Sequence, residues 1–170
     1  SWTPTRQGES VVVDLGREVA MGSVRFYSGL GRNRPDTGRY SVQYKDAAGG
    51  YQPMAEIEKT DGNIFVWTVA EVPDIRTRYV KIEVVVPNGT LNEVAFFEMG
   101  GANPLENVKI IESGFLPEDA GRPENLFDEA DKVEPAHTFR SGMIFDEIYH
   151  ARTAYEYIHL MEPYEWTHPP

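Results

Sequence analysis

Two short stretches near the C-terminal end carry the side chains best suited to chemistry. The segment 145–150 contains the adjacent carboxylates Asp146 and Glu147, and the segment 164–170 ends in His168 followed by two prolines. A neutral hydroxyl is a poor nucleophile, and a carboxylate held beside it can take its proton as the new bond forms. Such general-base assistance is typically worth about 10²–10⁴ in rate. Asp146 is therefore the candidate base of a group transfer to a hydroxyl.

An adjacent acidic pair also has an explanation that needs no function. Acidic side chains are favoured in the first turn of a helix, where they meet the positive end of the helix dipole and free backbone amides. A second such pair, Asp128-Glu129, occurs in the same part of the chain. The dipeptide alone therefore does not predict an active site.

A helix that follows the acidic pair would fix its position. Apolar residues at spacings of four, three, four and three form one stripe along it: Ile144, Ile148, Ala151, Tyr155 and Ile158. This spacing predicts an amphipathic helix that ends at or before Pro163. The stripe could lie on a membrane surface or pack against the rest of the chain.

The order Asp-Glu, short amphipathic helix and His-Pro-Pro resembles the first extracytoplasmic loop of protein O-mannosyltransferases and related polyprenyl-phosphate-sugar transferases. The resemblance covers about residues 143–170, with matches at Asp146, Glu147 and His168-Pro169-Pro170. It implies that Asp146 is the base, that Glu147 orients a substrate or assists the base, and that His168 belongs to the site. It also implies inversion at the anomeric carbon.

The same resemblance implies partners and a location. The donor would be a polyprenyl-phosphate-linked sugar, and the family resemblance implies that this sugar is mannose. The acceptor would be a hydroxyl on a protein or glycan. The full-length protein would lie in the cell membrane with this loop on the extracytoplasmic face, as part of a longer polypeptide. The loop alone would be inactive. Cationic partners for the lipid phosphate are expected on other membrane loops, since only Arg140 and Arg152 lie nearby in the sequence.

The first hundred residues are β throughout. Short runs rich in β-branched and aromatic residues, separated by Gly, Pro, Asn and Asp, predict a sandwich or barrel; the runs are 11–15, 23–27, 40–44, 65–69, 79–84 and 92–97. We divide the chain into a β-sandwich at 1–101, an irregular acidic connector at 102–142 with a short helical turn near 125–130, and the Asp-Glu segment at 143–170.

Four motifs in order resemble the discoidin family, the coagulation-factor type C domains: Val12–Gly16, Val24–Tyr27, Arg78–Ile82 and Leu91–Val94. The resemblance implies a jelly-roll, galactose-binding-like sandwich whose N-terminal strands are missing from this chain. It also implies a structural calcium near Glu93, the one metal that the family suggests. No other cofactor is required by the sequence.

The sandwich half is also a candidate for glycan binding. The loop residues Arg32, Asn33 and Arg34 offer hydrogen-bond donors, while Tyr27, Tyr51 or Trp67 could provide a face for a sugar ring. Trp67 lies in mid-strand, where a core position is the ordinary explanation. Two alternatives to the enzyme therefore remain open: a carbohydrate-binding module, and a structural domain that braces a larger assembly.

Charge and composition exclude several other classes. Residues 1–101 hold 11 basic and 13 acidic side chains, while residues 102–170 hold 5 and 14, so most of the net charge of −11 lies in the second part. Without a basic stripe, nucleic acid is excluded as a partner. The chain has no cysteine, and its four histidines match no zinc motif. No apolar run of about 18 residues crosses a membrane.

Overall fold

The computed structural model describes residues 1–29, 36–133 and 147–163. Its strands are β1 (Trp2–Thr3), β2 (Ser10–Ser28), β3 (Gly38–Lys45), β4 (Tyr51–Lys59), β5 (Val66–Glu71), β6 (Arg76–Val86), β7 (Glu93–Glu98), β8 (Lys109–Ser113) and β9 (Ala120–Gly121). One α-helix, α1, spans Glu147–Ile158. The predicted class, mainly β with a C-terminal helix, is confirmed.

Two antiparallel sheets share the long strand β2. Its first half pairs with β6 and β8, which gives a large sheet of order β4-β3-β6-β2-β8. Its second half pairs with β5 and β7, which gives a small sheet of order β5-β2-β7. A strand that changes sheets must bend, and such corners are how two sheets close over one core. The architecture is an antiparallel β-sandwich.

An irregularity in β2 lies at Gly16, before the strand passes from the large sheet to the small one after Ala20. The sequence predicts that the first strand ends here, but the structure has a break in register between Asp14 and Val19, and the strand continues. Gly16 has a φ of 81°, which residues with a Cβ rarely adopt, and its amide donates to the Asp14 carboxylate at 2.8 Å. Two predicted strands are thus one strand with an irregularity at a glycine.

The core lies between the inner faces of the two sheets. Its largest members are fully buried: Trp2, Tyr40, Met21, Ile57, Ile82, Leu91, Phe96 and Leu126. Leu126 comes from a 3-10 helix, Pro123–Leu126, and the neighbouring Phe127 stacks on Phe96 at 5.9 Å between ring centroids. Residues beyond position 101 therefore contribute to the same core.

The segment 102–133, predicted to be irregular, contains regular elements. β8 adds to the edge of the large sheet, and β9 pairs with β1. The sequence does not predict β8, because its residues show only a weak apolar alternation. It is a strand because it pairs with β2. Two 3-10 helices, Pro123–Leu126 and Ala130–Lys132, flank the predicted helical turn.

Strand β4 is absent from the sequence prediction for a similar reason. It contains Pro53, which cannot donate to a ladder and normally argues against a strand. In the structure Pro53 lies on an edge strand, beside a register shift between Val42 and Gln43 of β3. An edge position and a bulge accommodate the missing donor.

The predicted helix exists, but its buried face differs from the apolar stripe. Among the side chains of α1 that the structure describes, Arg152, Thr153 and Glu156 are buried, Ala151 and Tyr155 of the stripe are half-buried, and Ile158 of the stripe is 77% exposed. Ile144 of the stripe lies outside the described residues. Over the described ranges, no helix combines the length and apolar character needed to span a bilayer.

Candidate functional site

The start of α1 is the described part of the predicted catalytic site. Glu147 lies in the first turn, with an exposed side chain. The favourable interaction of an acid with the helix dipole accounts for its position as well as a catalytic role does. Asp146 and His168 lie outside the described residues, so their arrangement around Glu147 stays a prediction.

The most deeply buried side chains of α1, among those that the structure describes, are polar. The Arg152 guanidinium lies 3.4 Å from the Glu156 carboxylate, four residues away on the same helix, and both side chains are almost wholly buried. Burial of a charge is costly unless it is paired. Arg152, one of the two cations near the acidic pair in the sequence, is thus paired with Glu156. The other, Arg140, lies outside the described residues.

We define the outer face of the small sheet by Arg25, Tyr27, Trp67, Ala95 and Phe97, which alternate with the core residues of the three strands. The Arg25 guanidinium lies 4.0 Å above the Phe97 ring, and the rings of Tyr27 and Trp67 are 5.4 Å apart. Ala95 and Phe97 are 3% and 2% exposed. Ala95 and Phe97 are therefore covered by other parts of the chain, while Arg25, Tyr27 and Trp67 are half-buried.

Two described segments after residue 101 reach this sheet. Val133 packs with Ala95 and Phe97 in a small apolar cluster, against which Trp67 is partly buried. Further along, the ring of Tyr155 in α1 lies 6.0 Å from the ring of Phe65, which directly precedes β5. Trp67 therefore belongs to this second cluster and not to the main core.

The predicted glycan loop lies between two fixed points. Arg32, Asn33 and Arg34 are outside the described residues. Before the loop, the Gly29 amide donates to the Asn92 side chain at 2.6 Å. After it, the Asp36 carboxylate accepts from the Thr90 amide at 2.8 Å. Both ends are thus held by one turn, and glycan binding by the loop stays a prediction.

A buried ion pair supports that turn. The Lys59 ammonium lies 3.5 Å from the Asp36 carboxylate, and neither side chain is exposed. The Tyr40 hydroxyl donates to the Gly89 carbonyl close by. Burial, with Asp36, Glu9 and Asp119 nearby, raises the pKa of Tyr40 well above its usual value, so it remains a neutral donor. The network was not predicted, because its members are scattered among unrelated strands.

Tyr51, the third candidate for a sugar-ring face, lies on the large sheet. It is half-buried, and the ammonium groups of Lys45 and Lys81 lie 5.9 Å and 5.8 Å from its ring centroid. Tyr51 is therefore separate from Tyr27 and Trp67, which are on the outer face of the other sheet. The three aromatic candidates do not form one platform.

Glu93, the predicted calcium ligand, is half-buried at the start of β7. Burial first, and then the charges of Asp128 and Glu129, raises the pKa of Glu93 to about 7. A site rich in carboxylates attracts cations, but calcium takes six to eight oxygen ligands. Within the described ranges, no three His, Cys, Asp or Glu side chains are placed to hold a metal. The described residues do not complete a calcium site, which stays a prediction.

A second carboxyl pair, Glu9 and Asp119, joins the N-terminal segment to the loop before β9. Burial, and then a hydrogen bond to Asp119, raises the pKa of Glu9 to about 7. Burial opposes ionisation of Asp119, but hydrogen bonds from Glu9, Leu116, Trp2 and Thr5 outweigh it, so its pKa is lowered. Below about pH 7 the Glu9 carboxyl is therefore protonated and can donate to Asp119. The sequence does not predict this pair, because Glu9 and Asp119 are 110 positions apart.

Comparison with known proteins gives a likeness of fold. No family model matches the chain, and no curated protein is similar to it. Among solved structures, the chain is similar to the C-terminal domain of a chitobiase from Bacteroides fragilis, with a TM-score of 0.42 and 14% sequence identity. The match covers 61% of this chain and 64% of that one, so less than two thirds of that domain is spanned. At this identity the likeness concerns the β-sandwich fold alone.

Proposed function

We propose that this chain is an extracytoplasmic loop of a polytopic membrane glycosyltransferase. The enzyme would transfer a sugar, mannose by family resemblance, from a polyprenyl phosphate to a hydroxyl acceptor with inversion. The observation that carries the proposal is the order of Asp146-Glu147, an amphipathic helix and His168-Pro169-Pro170. The exposed position of Glu147 at the start of α1 supports it, because a side chain turned to solvent can meet a substrate.

The chemistry is a single displacement. The acceptor oxygen attacks the anomeric carbon as the bond from that carbon to the phosphate oxygen breaks. The electron pair leaves with the polyprenyl phosphate, and the hydroxyl proton passes to Asp146. One carboxylate that acts through the acceptor inverts the anomeric centre, whereas retention requires a carboxylate nucleophile. Glu147, the next residue, orients the acceptor or donor.

The cations that stabilise the leaving phosphate would come from other loops of the full-length protein. The acidic balance of residues 102–170 and the pairing of Arg152 with Glu156 both support this division. The chain would therefore supply the base and its support, and the membrane part would supply the donor site. The 170 residues alone are expected to be inactive.

The test is Asp146→Asn in the full-length protein, assayed in membranes by transfer of labelled mannose from polyprenyl-phosphate mannose to an acceptor peptide. We expect the rate to fall by a factor of about 10²–10⁴, because the base is lost while the shape is kept. Asp128→Asn is the matched control, since it alters the other Asp-Glu pair and should leave transfer unchanged. Retained activity in Asp146→Asn would exclude Asp146 as the base.

A further inference from the structure

The C-terminal segment contacts the small sheet at both of its edges. The strand order is β5-β2-β7. Val133 packs on Phe97 of β7 at one edge, and Tyr155 of α1 contacts Phe65 beside β5 at the other. The two contacts are 22 residues apart in the sequence, and the outer face of the small sheet lies between them.

The burial within α1 indicates that the helix rests on protein. Thr153 and Glu156 are 1% and 0% exposed, while Tyr157 is 48% exposed on another side of the helix. A short helix that touched the rest of the chain only at one end would not bury a carboxylate completely. Tyr155 is held further by the ring of His159, stacked at 4.0 Å.

Phe65 adopts a backbone conformation that has to be compensated. Its φ is 57°, in the left-handed region, which is unfavourable for a residue with a side chain. Its amide donates to the Ser28 carbonyl at 2.7 Å, so β2 holds it in place. The preceding turn is fixed by Thr60 and Asn63, whose side chains cap each other's backbone amides. Strain retained in a well-fixed turn, with the ring directed at Tyr155, indicates a specific contact.

We infer that the outer face of the small sheet is the docking surface for the chain's own C-terminal segment, with Phe65 and Tyr155 as positioning residues for α1. The sandwich then sets where the Glu147 end of the helix lies. An aromatic surface of this kind could otherwise serve as a sugar platform, but the contacts that the structure describes on it and beside it are those of Val133 and Tyr155. The catalytic consequence rests on the proposed function, whereas the docking itself does not.

The docking is tested on the 170-residue chain by hydrogen exchange of the α1 amides. Tyr155→Ala should reduce their protection by at least about tenfold, because the anchoring ring is lost. Tyr155→Phe should restore protection. Tyr157→Ala, a matched change on the exposed side of the same helix, should leave it unchanged. Equal loss in Tyr155→Ala and Tyr157→Ala, or no loss in either, would overturn the docking.

A second variant separates loss of the contact from loss of the fold. Phe65→Gly removes the ring from the other partner and also relieves the left-handed strain, so the sandwich should unfold at a denaturant concentration no lower than wild type. We expect protection of α1 to fall in Phe65→Gly as in Tyr155→Ala. Unchanged protection of α1 in this folded variant would overturn the assignment of Phe65.

In the full-length protein, Tyr155→Ala should lower kcat more than tenfold with little change in KM for either substrate, and Tyr155→Phe should restore it. Normal kcat with a released helix would overturn the positioning role. If the wild-type protein transferred no sugar, the proposed function would fail, while the exchange result on the 170-residue chain would still decide the docking.

Discussion

Glu9 and Asp119 connect two distant segments through one shared proton. Glu9 accepts from the Arg6 amide at 2.6 Å through one oxygen, while its other oxygen is buried and faces no donor among the described residues. That oxygen is satisfied when it is protonated and donates to Asp119, whose own oxygens accept from Thr5, Trp2 and Leu116. The folded state therefore binds a proton that the unfolded chain releases at lower pH.

The pH dependence of stability follows from this proton. The pKa of Glu9 is about 7 when folded and 4.5 without the fold, so the folded state holds more protons between these values. Stability is fully present below about pH 4.5 and is lost as pH rises through 7, by about 1–3 kcal/mol from this group. In Glu9→Gln, where an amide donates to Asp119 at any pH, we expect urea unfolding from pH 5 to 8 to lack this component.

Glu118→Gln is the control for that measurement, because Glu118 neighbours Asp119 but is exposed and pairs with the exposed Arg6 at 3.1 Å. Its unfolding free energy should follow the wild-type curve at every pH. A Glu9→Gln curve parallel to wild type across the same range would show that the proton on Glu9 is not coupled to folding.

At the scale of the element, β2 is the strand on which both sheets depend. The register break at Gly16 lies within the part of β2 that pairs with β6, and a Cβ added there would meet no atom within 4 Å. The cost of a side chain at this position is therefore one of backbone conformation and not of space.

We expect Gly16→Ala to lower the free energy of unfolding by about 1–2 kcal/mol, because the residue must hold a φ of 81°. The control is Gly62→Ala. Its added Cβ would make an ordinary contact with Thr60, and its φ is not left-handed, so the change should be neutral or slightly stabilising. Denaturant titration compares the two. Equal stability of both variants would mean that a side chain does not strain the backbone at Gly16.

At the scale of the whole molecule, the sandwich extends past its predicted end at residue 101. β8 pairs along β2, Leu126 is fully buried in the main core, and Phe127 stacks on Phe96. A chain cut at 101 would leave an open edge of β2 and a hole in the core, and both are costly.

A truncated chain, 1–101, should therefore show no cooperative urea transition and no fixed aromatic signal in near-ultraviolet circular dichroism. Chain 1–133 keeps β8, β9 and the 3-10 helices Pro123–Leu126 and Ala130–Lys132. It should unfold cooperatively. It should be less stable than the full 170 residues, because the outer face of the small sheet loses its cover. A cooperative transition in 1–101 at the same midpoint as 1–133 would restore the boundary at 101.

Local patterns of apolar residues are enough to predict several of the strands and the helix. Alternating apolar residues predict β3 and β6, and a spacing of three and four predicts α1, because periodicity depends on neighbouring residues only. The Asp-Glu and His-Pro-Pro motifs are also read locally, and they remain the basis of the proposed function.

Strand pairing and contacts between distant residues are seen only in the tertiary structure. β4 and β8 are strands because they pair with β3 and β2, and α1 buries Arg152 and Glu156 as an ion pair. Glu9 and Asp119 share a proton because folding brings them together out of water. Each of these depends on contacts between residues far apart in the chain, whose energies no local pattern contains.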